Sequence, residues 1–148
     1  MSSSQPPAPQ HGSKSLGSVT LSNGVRVAVS PWYLPDQSDP QVGRYVFGYR
    51  IRISNESSRK LWLISRRWVI VDADGELREV EGEGVVGQQP ELSPGETFTY
   101  TSYCPLSTAW GTMEGSYTMQ GEDGSRVEVR IGRFYLAAHE PETPVDQA

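Results

Sequence analysis

The sequence has little cysteine, little histidine and no long apolar run, and each shortage argues against a class of function. Its one cysteine, Cys104, permits no internal disulfide in 148 residues, which is typical of a reducing compartment and predicts a cytoplasmic protein. The two histidines, His11 and His139, lie near the chain ends, so neither a histidine metal site nor a serine–histidine nucleophile is indicated. No apolar stretch approaches the roughly 18 residues of a membrane helix, so we do not expect a membrane-embedded protein.

Net charge and chain length further restrict the possible functions and the number of domains. Lys and Arg number 13 against 18 Asp and Glu, a net charge of −5, and an acidic excess disfavours nucleic acid binding because phosphate contacts require a basic surface. The length suits about one domain. Both ends are polar and poor in large apolar residues, so we predict disordered tails at residues 1–18 and 139–148 around one domain at residues 19–138.

The hydrophobic pattern of that domain repeats every two residues. Val25, Val27 and Val29 alternate with smaller or polar residues, and residues 45–53 alternate more clearly still. Residues 61–71 are apolar on both faces, which predicts a strand covered on both sides or bent by a bulge near Arg66–Arg67, with Trp62 and Trp68 in the core. Asp-Gly pairs at 74–75 and 123–124 predict hairpin turns.

These features together predict an all-β fold. We expect an immunoglobulin or fibronectin type III-like β-sandwich of about seven to eight antiparallel strands. Sandwiches have edge strands, and an unpaired edge could support a homodimer.

Six blocks in the same order and spacing as in a known family make this sequence recognisable: residues 44–49, 63–68, 81–90, 92–96, 100–102 and 111–119. The chain resembles the ApaG family over about residues 25–136. The resemblance implies a fibronectin III-like sandwich and, for bacterial members, an association with cobalt resistance and magnesium efflux. Related domains in eukaryotic F-box proteins and in a polymerase-delta-interacting protein look like protein-interaction modules.

A glycine string gives one candidate ligand site. Gly82, Gly84 and Gly87 form a GxGxxG motif, which in dinucleotide-binding folds places pyrophosphate at a helix N-terminus. Pro90 follows too closely for such a helix, so the motif is either a turn that needs positive φ or a loop whose N–H groups bind pyrophosphate or a nucleotide. Glu81 and Glu83 would then call for a bridging divalent cation.

Loop aromatics give a candidate partner site. Trp32, Tyr33 and Trp110 stand beside proline or glycine, and exposed aromatics often anchor protein partners, although packing at the rim of the core would also account for them. The bases of residues 44–67 precede the acids of residues 72–96, which predicts either a bipolar surface or cross-strand ion pairs. The acids at 72–76 fit a solvated hairpin better than a metal site.

We therefore expect a non-enzymatic protein without cofactor or metal, whose loops bind an unidentified protein and act on metal efflux indirectly. The alternative is a small-ligand sensor that binds pyrophosphate or a nucleotide at the glycine string.

Overall fold

The computed structural model describes residues 16–139, which form nine β-strands and two short 3-10 helices. The strands are β1 (Ser18–Ser22), β2 (Val25–Tyr33), β3 (Tyr45–Asn55), β4 (Leu61–Asp72), β5 (Leu77–Glu83), β6 (Glu91–Leu92), β7 (Thr97–Leu106), β8 (Trp110–Gly121) and β9 (Arg126–Ala137); the helices are Pro35–Gln37 and Pro40–Val42. The expected count of seven to eight omitted β1 and the two-residue β6. The tails predicted at 1–18 and 139–148 fall almost entirely outside the described residues.

The strands of the described residues form a sandwich of two antiparallel sheets. The first sheet has the order β1-β2-β3-β7, and the second has the order β5-β4-β8-β9, with β6 paired to the start of β4. The period-two pattern explains why the sheets pack face to face, because it gives each strand one apolar face that must be buried against the facing sheet. The core includes Val25, Val27 and Val29 from β2 with Met113, Tyr117 and Met119 from β8.

Two β-bulges shift the register of strand pairing in the second sheet. The register of β4 against β8 shifts between Leu63 and Ser65, so the bulge expected near Arg66–Arg67 lies slightly earlier in the strand. A second shift opposite Gly132 lets both Ile131 and Phe134 reach the core. Trp68 is buried as predicted, whereas Trp62 lies on the other face of β4 and is half-buried.

The sandwich is closed on one side and open on the other. On the closed side, the side chains of β1 and the following turn donate to carbonyl oxygens of β9: Ser18 to Gly132 (2.8 Å), Thr20 to Arg130 (2.8 Å) and Asn23 to Glu128 (2.6 Å). On the open side, β5 and β7 are the edge strands of different sheets. There Arg78 of β5 reaches across to the carbonyl oxygen of Pro105, at 3.4 Å.

Candidate functional site

The glycine string forms the end of β5 and a tight turn. Val85 and Gln88 exchange two backbone hydrogen bonds of 2.8 Å, and the residues between them, Val86 and Gly87, both have positive φ. No helix follows within the described residues, which excludes the dinucleotide-binding context of the motif.

Each glycine of the string has a structural role in this turn. A Cβ on Gly82 would lie 2.8 Å from the guanidinium of Arg66, which packs flat against it. A Cβ on Gly84 would overlap the carbonyl oxygen of Gln88, and Gly84 and Gly87 both adopt a left-handed conformation that favours glycine. A turn that needs positive φ therefore accounts for Gly84 and Gly87, and the close packing of Arg66 accounts for Gly82.

A cavity of about 260 Å³ lies beside the turn, between β7 and the second sheet. Its walls carry three polar side chains of different kinds, from Arg66, Glu83 and Ser102, together with Tyr49 and Tyr100. Arg66 donates two hydrogen bonds from Nη1, to the carbonyl oxygens of Glu83 (3.0 Å) and Gly84 (2.9 Å), and so fastens the turn to β4.

The tyrosines below this cavity are held in the neutral form. The hydroxyls of Tyr100 and Tyr117 are 2.6 Å apart, and burial raises the pKa of both well above the usual value. Burial also raises the pKa of Tyr49. The tyrosines and Arg66 therefore offer neutral hydroxyls and one guanidinium, which can hold an anion or a polar ligand by hydrogen bonds beside the Glu83 carboxylate.

The predicted partner residues lie at one corner of the sandwich. Trp32 and Tyr33 line a cavity of about 230 Å³ with Tyr135 and Ala137, and Trp110 is the cross-strand neighbour of Ala137. We call Trp32, Tyr33, Trp110 and Tyr135 the aromatic corner.

The side chains of the aromatic corner differ in their exposure to solvent. Trp110 and Tyr135 are 51% and 43% exposed. Tyr33 packs instead against the core, with its ring 5.4 Å from that of Phe47. Tyr135 was not singled out from the sequence; the bulge at Gly132 reverses which residues of β9 face outward, and that glycine was the available signal.

Part of the uneven charge forms neighbouring pairs, as one of the two interpretations predicted. Arg67 lies 3.0 Å from Glu79 across β4 and β5, and Lys60 lies 3.0 Å from Glu91. Arg44, Arg50, Arg52 and Arg66 form no such pair, since no carboxylate of residues 16–139 lies within 4 Å of any of them.

In the hairpin at residues 72–76, one carboxylate accepts hydrogen bonds from the backbone of the turn. Asp72 Oδ1 accepts the N–H groups of Asp74 (2.9 Å) and Glu76 (3.0 Å). Across residues 16–139, no three His, Cys, Asp or Glu side chains come together as a metal site would require. The same part of the chain has no helix of the length and hydropathy that cross a membrane.

Known proteins resemble this chain closely. The ApaG domain family matches residues 35–121. A "Protein ApaG" of Brucella anthropi is 53% identical over 116 residues, and one of Brucella canis is 50% identical over the same length; each match covers 78% of this chain and 89% of the relative. The crystal structure of a putative ApaA protein from Bordetella pertussis superposes with a TM-score of 0.75 at 52% identity, covering 80% of this chain and 95% of that one.

Proposed function

This chain belongs to the ApaG family, and we propose that it is a non-enzymatic protein-interaction module whose aromatic corner binds a partner protein. The observation that carries the proposal is the half exposure of Trp110 and Tyr135 beside a cavity of about 230 Å³. Large aromatic side chains at the surface contribute much contact area and little conformational entropy loss, which is why they dominate binding energy at interfaces. The cavity is large enough to receive an apolar side chain of the partner.

Cobalt resistance and magnesium efflux, which the family resemblance implies, belong to this proposal as indirect effects. The chain would act on a transporter or a regulator through the aromatic corner. The single cysteine supports a cytoplasmic setting for that contact.

The test is affinity capture from a native lysate of the source organism, with quantitative mass spectrometry. The bait is the full chain, compared with the double variant Trp110→Ser and Tyr135→Thr. The matched control is Val42→Ser, because Val42 is 72% exposed but lies outside the corner. We expect at least one protein to be enriched by wild type and control and lost with the double variant. Equal recovery by all three baits, or no reproducible enrichment, contradicts the proposal.

A second candidate function is a small-ligand sensor at the glycine string, and the cavity of about 260 Å³ beside Val86 and Gly87 supports it. Arg66 and Ser102 face that cavity and suit a pyrophosphate or a nucleotide, which a divalent cation would bridge to Glu83.

The sensor is tested by amide-resolved NMR titration with pyrophosphate and with ATP, each with and without Mg²⁺. Saturable shifts centred on residues 82–87 support it, and they should weaken in Ser102→Ala but not in Thr99→Ala, on the opposite face of the same strand. Absence of shifts at millimolar ligand leaves the string with its structural role alone.

A further inference from the structure

Strand β7 has a free backbone edge. Asn55 N–H donates to the carbonyl oxygen of Glu96 (2.9 Å), and the register of β3 against β7 then assigns the backbone groups of even-numbered β7 residues to β3. The odd-numbered residues point theirs away from the sheet. Among these, Pro105 has its carbonyl near Arg78 and has no N–H to offer. Within the described residues, nothing hydrogen-bonds the backbone of Thr97, Thr99, Thr101 or Tyr103.

The composition of this edge is unusual. Natural edge strands are usually protected by charge, by proline or by a cover, because an open edge pairs with other chains. Strand β1 is covered through its hydrogen bonds to β9, and β5 carries charges at Arg78, Glu79, Glu81 and Glu83. Strand β7 has no charged residue over its ten positions. Among residues 16–139, the edge of β7 is protected only at its end, by Pro105, and its other outward backbone groups are free to pair with an added strand.

The side chains beside this edge define what could pair with it. On the outer face of the sheet, Arg52 lies next to Thr99, Arg50 next to Thr101, and Gly48 next to Tyr103. Gly48 has no side chain, so Trp32 lies directly over it, and Tyr103 is 58% exposed. The face therefore carries two arginines without a carboxylate partner in the described residues and, one row further on, two aromatic side chains next to Gly48.

We propose that β7 accepts an extended acidic segment of a partner protein as an additional antiparallel strand. The inference shares with the proposed function only the premise of a protein partner; it places the contact on another surface and names the partner's chemistry. The segment places acidic residues opposite Thr99 and Thr101 and an aromatic residue opposite Tyr103. An added strand lies about 10 Å from β3, two inter-strand spacings away, and extended arginine and glutamate side chains together span that distance above the short threonines.

Charge decides between this occupant and a second copy of the chain. Two β7 strands could pair edge to edge, but each would bring threonine and tyrosine where Arg50 and Arg52 call for carboxylates. An acidic segment satisfies both the backbone edge and the two arginines.

The test uses a capped nonapeptide, Ser-Thr-Phe-Thr-Glu-Thr-Glu-Thr-Ser, titrated into the labelled full chain and followed by amide NMR. We expect saturable shifts and slowed hydrogen exchange at Thr97, Thr99, Thr101 and Tyr103. Affinity should fall as salt rises, because exposed ion pairs are screened. A peptide with lysine in place of glutamate should not bind.

Two pairs of variants separate the contribution of backbone hydrogen bonds to peptide binding from that of the arginine charges. Thr101→Pro removes one outward N–H and should weaken binding about tenfold, the worth of one well-made hydrogen bond, whereas Thr101→Val keeps that N–H and should bind as wild type does. Arg50→Glu with Arg52→Glu should abolish binding, whereas Arg44→Glu with Arg130→Glu makes the same change of charge elsewhere and should not. Amide spectra verify that each variant is folded.

Three results would overturn the inference: no shifts on β7 at millimolar peptide, equal binding of the lysine peptide, or self-association through β7 that Thr101→Pro blocks while the acidic peptide does not bind. Partner capture that depends on Trp110 would leave the proposed function standing in each of these cases. If the peptide binds at β7 but no partner capture depends on Trp110, this inference is supported and the aromatic corner is rejected as a partner-binding site.

Discussion

The hydroxyl pair of Tyr100 and Tyr117 allows a sharp test of the core. Tyr100→Phe and Tyr117→Phe each delete one oxygen from the same 2.6 Å hydrogen bond. The two partners are placed differently, however. Tyr117 is fully buried, whereas Tyr100 is 7% exposed and lines the cavity of about 260 Å³ beside the glycine turn. The two variants should therefore differ in cost.

The difference follows from what each variant leaves behind. Tyr100→Phe leaves the Tyr117 hydroxyl buried without another protein partner in the described residues, which costs about 1–3 kcal/mol. Tyr117→Phe leaves the Tyr100 hydroxyl able to bind water in the cavity, so only the net worth of one hydrogen bond, about 0.5–1.5 kcal/mol, is lost. We expect Tyr100→Phe to be the more destabilising by about 1 kcal/mol.

Urea unfolding at pH 7 measures these costs. The double variant removes both oxygens together, so it should be less destabilised than the sum of the two single variants. A difference of about 1 kcal/mol corresponds to a shift of about 4 °C in the midpoint of thermal unfolding for a domain of this size.

The same pair gives a pH dependence of known sign. Burial raises the pKa of both hydroxyls in the folded state above the unfolded value near 10. Their contribution to stability is therefore fully present below about pH 10 and is lost progressively as pH rises beyond it. The double phenylalanine variant should lose less stability than wild type between about pH 9.5 and 11.

Two results would refute this reasoning. If Tyr117→Phe costs as much as Tyr100→Phe or more, the cavity does not hydrate the Tyr100 hydroxyl. If the costs of the single variants simply add, the two hydroxyls are not coupled in solution.

Three further predictions concern the turn, a buried amide and the thiol. Gly84→Ala should lower the free energy of unfolding by more than about 3 kcal/mol, because its Cβ overlaps the Gln88 carbonyl, whereas Gly87→Ala should cost only about 1–2 kcal/mol of backbone strain; urea unfolding compares them. Asn55→Ala should cost more than about 2 kcal/mol in the same assay, since its buried amide donates to the carbonyls of Arg59 and Leu92. Burial raises the pKa of the Cys104 thiol, so a disulfide reagent at pH 8 should label the folded protein at least tenfold more slowly than the urea-unfolded chain; comparable rates would contradict its burial.

Much of the sandwich could be predicted from the sequence because its strands follow a simple alternation. The valines of β2 and the hairpin at Asp74-Gly75 fall where that pattern puts them. The pattern failed where few residues carry it: β1 has only Val19 and Leu21 as large apolar residues, both exposed, and is held instead by polar contacts to β9. Such contacts join residues more than 100 positions apart and leave no local signal.

The candidate sites were harder to predict, for physical reasons that particular residues show. Trp32 was predicted to be a loop aromatic but lies within β2, and its contact with Gly48 depends on strand pairing that no single segment encodes. Alternation along β7 places Tyr103 on the outer face, opposite to Tyr100, but its position beside Gly48 depends on the same strand pairing. The free edge of β7 depends on sheet order, which is a property of the whole chain.

The contact between β1 and β9 also bears on how such a domain can be joined to others. Leu16 and Ala138, near the two limits of the described residues, line the same cavity at the aromatic corner. A fold whose two ends meet can be spliced into a surface loop of a host protein without stretching that loop, and its ends can be linked while the chain is reopened at Asp74-Gly75. Such a splice would bring the host's own chain directly beside Trp32 and Tyr135, so the surface best suited to a partner would lie at the point of attachment.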